Sequence, residues 1–190
     1  MKPFLLDVLR TGFDVVRLVT ATERVLETFK IGYSSRANGS PNESISLTSR
    51  RGAKEPLYDG SESQFDPVTN RKLYEEREFS EFNKEFLGTI FHDIYLAMPF
   101  QIGRMRINLL PPRTSLCAHK DSAPRAHVAL ITNPYCFISD GNGITTYVPA
   151  DGNTYLFDTT KTHFAVNASG KKRYHLTISV ADAAWTCDGP

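Results

Sequence analysis

From residue 100 onward, side chains of opposite character alternate along the chain. That two-residue period restricts the possible folds more than any other feature. In 103–110 one face carries Arg104, Arg106 and Asn108, the other Met105, Ile107 and Leu109. In 172–181 the faces are Arg173, His175, Thr177 and Ser179 against Tyr174, Leu176, Ile178 and Val180. In 125–132, Arg125 and His127 share a face and Val128 and Leu130 take the opposite one. Such alternation is the mark of an extended strand with two unlike faces. A sheet with one solvated face also alternates, but its polar side is normally rich in Lys, Glu and Thr, and these are rich in Arg, His and Asn. The expectation is a small barrel with a polar, ligand-holding lumen and an apolar exterior covered by helices.

Turn signals divide this half at Pro111-Pro112, Asn133-Pro134, Asp140 to Gly143 and Asp151-Gly152. Strands are expected at 103–110, 125–132, 143–148, 153–158, 163–167 and 172–181, a set that suits a sandwich or barrel. The first half reads differently. Phe4, Leu5, Val8 and Leu9 recur at helical spacing before Gly12, and Thr20 and Glu23 have capping-box spacing ahead of Val25, Leu26 and Phe29. Ser80 reads as the N-cap of a helix bearing Phe82, Phe86, Ile90 and Ile94, closed by Pro99. Between these, 34–80 is polar, with a short strand at Ile45 to Thr48 and turns at Gly39 to Pro41 and Asp59-Gly60. Part of that segment is expected to be mobile and to serve as a lid or substrate platform.

A length of 190 residues suits one domain over 1–190. Within it, 1–99 would supply helical support and the mobile polar segment, and 100–181 the β core. With 22 basic and 21 acidic side chains the net charge is +1, which gives no broad attraction to nucleic acid or to an anionic membrane. No apolar run approaches the roughly 18 residues of a membrane span. Asp7 and Arg10 interrupt the N-terminal apolar run too early for a secretory signal. Cys117, Cys136 and Cys187 are three, widely spaced and without a Cys-x-x-Cys pair, which argues against disulfides or a thiolate zinc site. A soluble cytoplasmic protein is the expectation, and in it the sequons at Asn38, Asn42 and Asn167 carry no meaning.

Of five histidines, His119, His127, His163 and His175 fall in the β-rich half. His119-Lys120-Asp121, followed later by His163, has the form His-x-Asp…His, the ligand set of the two-histidine, one-carboxylate triad of non-haem Fe(II) oxygenases. Two imidazoles and one carboxylate would hold the metal on three adjacent corners and leave three open for a bidentate co-substrate and O₂. Residues two apart on an extended segment point to one side, as His119 and Asp121 must. The pattern alone is loose, and its plain alternative is a surface His and Asp beside a core His. Arg173, ten residues after His163 and on the polar face of the last strand, makes the combination much more specific. A guanidinium there can pair bidentately with the distal carboxylate of a metal-bound dicarboxylate.

Arg106-Ile-Asn108, His119-x-Asp121, Arg125-Ala-His127-Val, Gly152 to Asp158, and His163 to Asn167 followed by Arg173 resemble the aspartyl/asparaginyl β-hydroxylase family. The likeness covers about 100–181, with only a faint echo at Ile45 to Leu47. It implies a double-stranded β-helix (jelly-roll, cupin-like) flanked by N-terminal helices, in an α+β, mainly β chain. It implies Fe(II), 2-oxoglutarate and O₂ as cofactor and co-substrates. His119 and His163 would then ligate the iron and Arg173 would bind the 2-oxoglutarate C5 carboxylate. Arg125 and His127 would contact the co-substrate from the side, and Asn108 would face it as a small polar residue. Some family members carry a small residue where this chain has Asp121; its presence here completes a His119, Asp121, His163 ligand set.

The expected reaction is hydroxylation of an unactivated C–H bond in an amino-acid side chain, with succinate and CO₂ as co-products. The partner would be a peptide, a protein or a free amino acid such as proline, with no nucleic acid and no membrane. The rival is a non-enzymatic, cupin-like metal- or ligand-binding module in the same pocket. His175 is expected to be a satisfied core histidine, His92 structural, Lys120 solvated, and Arg50, Arg51, Lys54 and Arg113 to lie in solvated loops.

Overall fold

A computed structural model of the chain describes residues 3–29, 31–33, 43–61, 64–66 and 68–182. The expected turn at Gly39 to Pro41, the sequons at Asn38 and Asn42, and Trp185 and Cys187 lie outside these residues. The first element is a strand, β1 (Leu5–Leu9), followed by helix α1 (Val15–Thr28). Short strands β2 (Gly32–Tyr33), β3 (Glu43–Ser46) and β4 (Thr48–Ser49) come next, then one helical turn, α2 (Pro56–Asp59). A 3₁₀ turn (Glu76–Glu78), strand β5 (Glu81–Phe82), a second 3₁₀ turn (Lys84–Phe86) and helix α3 (Ile90–Ala97) complete the front half. Eight strands make up the rest. They are β6 (Ile102–Leu110), β7 (Thr114–Ser115), β8 (Arg125–Ile131), β9 (Cys136–Ser139), β10 (Thr145–Thr146), β11 (Thr154–Phe157), β12 (Phe164–Asn167) and β13 (Arg173–Val180).

Those eight strands divide between two sheets. One has the order β1-β11-β8-β13-β6-β3-β2 and the other β10-β9-β12-β7, every pairing antiparallel. The chain crosses repeatedly from one sheet to the other, so β6 to β13 wind into the double-stranded β-helix that the family likeness implied. Two apolar clusters show what the alternation accomplishes. Met105, Ile107, Leu109, Val128, Leu156, Leu176 and Ile178 point outward from the large sheet and pack under Leu18 and Val25 of α1 and Ile90, Phe91 and Ile94 of α3. On the inward side, Leu110, Ala129 and Phe157 meet Ile138 and Ala165 of the small sheet, with Phe4 among them. Every residue of β6 and β13 is buried. The arginines and histidines of these strands therefore face the interior between the sheets, not bulk water.

The front half departs from its periodicity in three places. Residues 5–9 form an edge strand on β11, because pairing with Tyr155 and Thr154 satisfies backbone groups that a short isolated helix would leave open. Helix α1 starts earlier than Thr20: the Asp14 side chain accepts from the Arg17 N–H at 3.0 Å, and Thr20 lies mid-helix. The Phe82-to-Ile94 spacing does not form one helix. Gly88 adopts φ +72°, a left-handed break, and α3 begins only at Ile90 behind Thr89. The short strand expected at Ile45 to Thr48 is found as β3 and β4, with Ser44, Ser46, Leu47, Thr48 and Ser49 buried and β3 paired with β6. Downstream, the strand expected at 143–148 is reduced to β10, and β9 supplies the neighbouring pairing.

Candidate active site

The small and large sheets meet around one cavity, whose lining includes Asn108, His119, Asp121, Arg125, His127, His163 and Arg173. His119 and Asp121 follow β7, and His163 immediately precedes β12. His119 and His163 form an antiparallel bridge in which each main-chain N–H donates to the other's carbonyl at 2.9 Å. Asp121 is held the same way, its N–H donating to the Thr159 carbonyl at 2.8 Å. Lys120, between them, is exposed. One ligand atom from each of His119, Asp121 and His163 lies within 4.8 Å of the other two.

The donor set fits a metal ion. His119 Nδ1 lies 2.7 Å from the Cys117 carbonyl and His163 Nδ1 lies 3.0 Å from the Lys161 carbonyl. A carbonyl can only accept, so each Nδ1 carries the proton and each Nε2 keeps its lone pair for a metal. Burial raises the pKa of Asp121, yet the charge of Arg125, joined in acid by those of protonated His163 and His119, overcomes it and brings the carboxyl down to about 2. Burial lowers the pKa of His163, with Asp121 opposing that shift. Both groups are thus in ligating protonation states at neutral pH.

The cavity also holds a cation in need of an anion. Arg173 is buried, and its Nε and Nη1 have no hydrogen-bond partner among the described residues. Burial pushes its pKa down to about 10, with no carboxylate to raise it. An uncompensated buried guanidinium is costly, which suits a site completed by an anionic ligand. Arg125 Nη1, His127 Nδ1 and Asn108 Oδ1 are orphaned in the same way, while Asn108 Nδ2 donates to Thr177 Oγ1. His127 is brought down to about 3 by burial and by the Arg173 charge, and so stays neutral.

His175 departs from expectation. It is buried, but neither ring nitrogen has a partner among the described residues, so it is not a satisfied core histidine. Glu76 carried no signal in the sequence. It sits in Glu75-Glu-Arg-Glu78, within the polar segment 34–80, yet Glu76 alone of the four is buried. It accepts from Arg104 Nε at 3.0 Å and Arg125 Nη2 at 2.7 Å. Burial raises its pKa, but Arg125 and Arg104 outweigh this and hold it well below the usual carboxylate range. Two arginines on inward strand faces needed a counter-ion, and that need was the only hint of it. Elsewhere, His92 stacks on Phe82 at 5.0 Å, and Arg50 pairs with Asp59 and covers the Tyr74 ring.

The family profile of aspartyl/asparaginyl β-hydroxylases matches residues 77–183, more than half of the chain. The chain belongs to that family. It is a hydroxylase of the Fe(II)- and 2-oxoglutarate-dependent class, and the alternative of a binding module without turnover is set aside. Among solved structures, it is similar to a Pseudomonas putida prolyl-4-hydroxylase, with 11% identity and a TM-score of 0.55 over 93% of this chain and 92% of that one. It is also similar to a Trichoplax adhaerens prolyl hydroxylase in complex with a hypoxia inducible factor peptide fragment, with 8% identity, TM-score 0.53, and 93% and 83% coverage. A viral collagen prolyl hydroxylase from Paramecium Bursaria Chlorella virus-1 gives 6% identity, TM-score 0.51, and 92% and 94% coverage. At such identities these likenesses establish the fold alone. A sequence comparison with curated proteins finds no match. Among the described residues, no helix of this family member is long and apolar enough to cross a membrane.

Proposed function

We propose that the chain hydroxylates an unactivated C–H bond of an amino-acid side chain, in peptidyl Asp, Asn or Pro or in a free amino acid such as proline. One atom of O₂ enters the hydroxyl group, and the other enters the succinate formed with CO₂ from 2-oxoglutarate. The observation that carries this reading is that one cavity joins the His119, Asp121 and His163 cluster to the orphaned guanidinium of Arg173.

When bound, Fe(II) supplies the activation of O₂ that side chains cannot provide. His119, Asp121 and His163 would hold it. Arg173 would pair with the distal carboxylate of 2-oxoglutarate, relieving its own buried charge. Arg125, His127 and Asn108 would orient the co-substrate through their unpartnered polar atoms. Leu110, Leu116, Ile138 and Ala165 line the same cavity and would keep water from the reacting centre. Cys117, exposed, and Cys136, buried, are both free thiols, which suits a reducing compartment, and we place the protein in the cytoplasm.

Two measurements test this. Anaerobic Fe(II) titration should give a visible charge-transfer absorption only when 2-oxoglutarate is added; iron binding with no such band would sink the co-substrate assignment. Succinate release should rise above the uncoupled background with one member of a panel of free amino acids and of peptides containing Asp, Asn or Pro. That member should gain one oxygen atom, and a flat response across the panel would sink the substrate class.

A further inference from the structure

The ion pairs behind the cavity form a chain that reaches the proposed metal site from outside the β core. Arg104 grips Glu76 with two nitrogens, Nε at 3.0 Å from Oε2 and Nη2 at 2.9 Å from Oε1. Glu76 Oε1 takes Arg125 Nη2 at 2.7 Å, and Arg125 Nε lies 3.2 Å from Asp121 Oδ2. Asp121 Oδ2 in turn lies 3.6 Å from His163 Nε2. The third corner of the Arg125 guanidinium, Nη1, has no partner among the described residues, and Arg125 lines the cavity.

The fold goes to some length to place Glu76. Reciprocal capping between Glu75 and Glu78 closes the 3₁₀ turn that carries it. That turn lies against Gly103 so closely that a Cβ there would come within 2.7 Å of the Glu76 carbonyl oxygen. Ser122, next to Asp121, donates to Gln64 at 3.0 Å and approaches Glu76 at 3.4 Å, tying the same turn to the site from the other side.

We infer that Glu76 is a positioning residue for the metal carboxylate, acting through Arg125. An arginine beside a carboxylate forms a two-pronged pair when nothing prevents it. Such a pair would engage both oxygens of Asp121 and compete with a metal for them. Glu76 occupies Arg125 Nη2, so that Arg125 presents only Nε to Asp121 and turns Nη1 elsewhere. It also balances charge. The charges of Arg104 and Arg125 both act on Asp121 as well as on Glu76, and the Glu76 carboxylate offsets part of that positive charge. Outer partners of metal ligands tune affinity in this way. The inference rests on the assignment of Asp121 to the metal made above.

The test is Mn(II) binding to the metal-free protein, read from the loss of the free-ion paramagnetic resonance signal, with thermal unfolding in the same buffer. Glu76→Gln removes the charge; Glu76→Asp keeps it but is too short to span Arg104 and Arg125. Asp59→Asn breaks the Arg50 pair, which makes no hydrogen bond to Arg125, Asp121 or Glu76 among the described residues, and serves as the stability control. Both Glu76 variants should weaken Mn(II) binding roughly 10- to 100-fold, and Asp59→Asn should leave it within about twofold while lowering the melting temperature. Unchanged binding in both Glu76 variants overturns the inference. So does retained binding in Glu76→Asp alone, which would make charge sufficient, or an equal loss in Asp59→Asn, which would make the effect general loosening. Should Glu76→Gln not fold, Glu76→Asp against Asp59→Asn still decides. Wild-type protein that binds no Mn(II) would instead remove the metal site itself.

Discussion

The main chains of His119 and His163 are bonded to each other, N–H to carbonyl in both directions at 2.9 Å, and their rings lie 4.3 Å apart between centroids. The two imidazoles are therefore positioned by backbone and do not depend on contact between their own side chains. His163→Ala should keep the bridge and the fold while losing metal affinity and succinate formation. Circular dichroism, Mn(II) binding and 2-oxoglutarate turnover check it, and full turnover in the variant would take His163 away from the metal.

Arg173→Met keeps a flexible unbranched stem, shorter than arginine, and removes a buried charge that lacks a partner. Without ligand, the melting temperature should stay level or rise, because no native ion pair is lost. Wild-type protein should gain stability when 2-oxoglutarate and Mn(II) are added together, and the variant should not. Its 2-oxoglutarate requirement should rise roughly hundredfold or more, the cost of leaving a buried carboxylate unpaired. An unchanged requirement would put the co-substrate elsewhere.

Acid should destabilise the metal-free protein well before its carboxylates titrate. Burial and the Arg173 charge bring His127 down to about 3 and hold His175 well below the ordinary histidine value of 6.5. Unfolded, both take up a proton near that ordinary value. The unfolded state then binds more protons than the native one, so stability is full above about pH 6.5 and is lost as pH falls below it. The slope should be about 1.4 kcal/mol per pH unit for each histidine, and about 2.7 for the two. Burial also depresses His163, which adds in the same direction. Urea midpoints across about pH 5 to 7.5 measure this, and His175→Gln should reduce the slope by about one histidine's share. A flat profile would mean that both rings are hydrated in the native state.

Gly152 stands at φ +79°, and its carbonyl accepts from the Phe13 N–H and the Thr11 hydroxyl, each at 2.9 Å. A Cβ there would lie 2.1 Å from the Phe13 carbonyl oxygen. Gly152→Ala should cost about 3 kcal/mol or more, from backbone strain and overlap together. Chemical denaturation reads it, and a loss under about 1 kcal/mol would show that the 11–13 segment can move aside.

Much of the β core was legible because its signal is local. The faces of β6, β8 and β13 alternate residue by residue, and neither Arg106 nor Leu176 needs a distant partner to reveal which side it takes. Asp140 and Gly152 likewise marked turns by their own backbone preferences. The front half was less legible because apolar residues four apart satisfy more than one structure. Phe82, Phe86 and Ile90 face one core from a strand, a 3₁₀ turn and a helix in succession. The edge strand at Leu5 exists only because β11 is there to receive it.

The site divides along the same line. The residue types themselves, with His119 and Asp121 on one extended segment and Arg173 ten residues beyond His163, come from the sequence, since spacing along a strand decides direction. Glu76 shows what spacing cannot decide. It is chemically the twin of Glu75 and Glu78, and nothing near it in the chain distinguishes it. Only the close approach of its turn to Gly103, and two arginines arriving from strands β6 and β8, select it for burial. Local periodicity is written into neighbouring residues, whereas the choice of a counter-ion belongs to the tertiary structure, which alone brings the charges together where water no longer screens them.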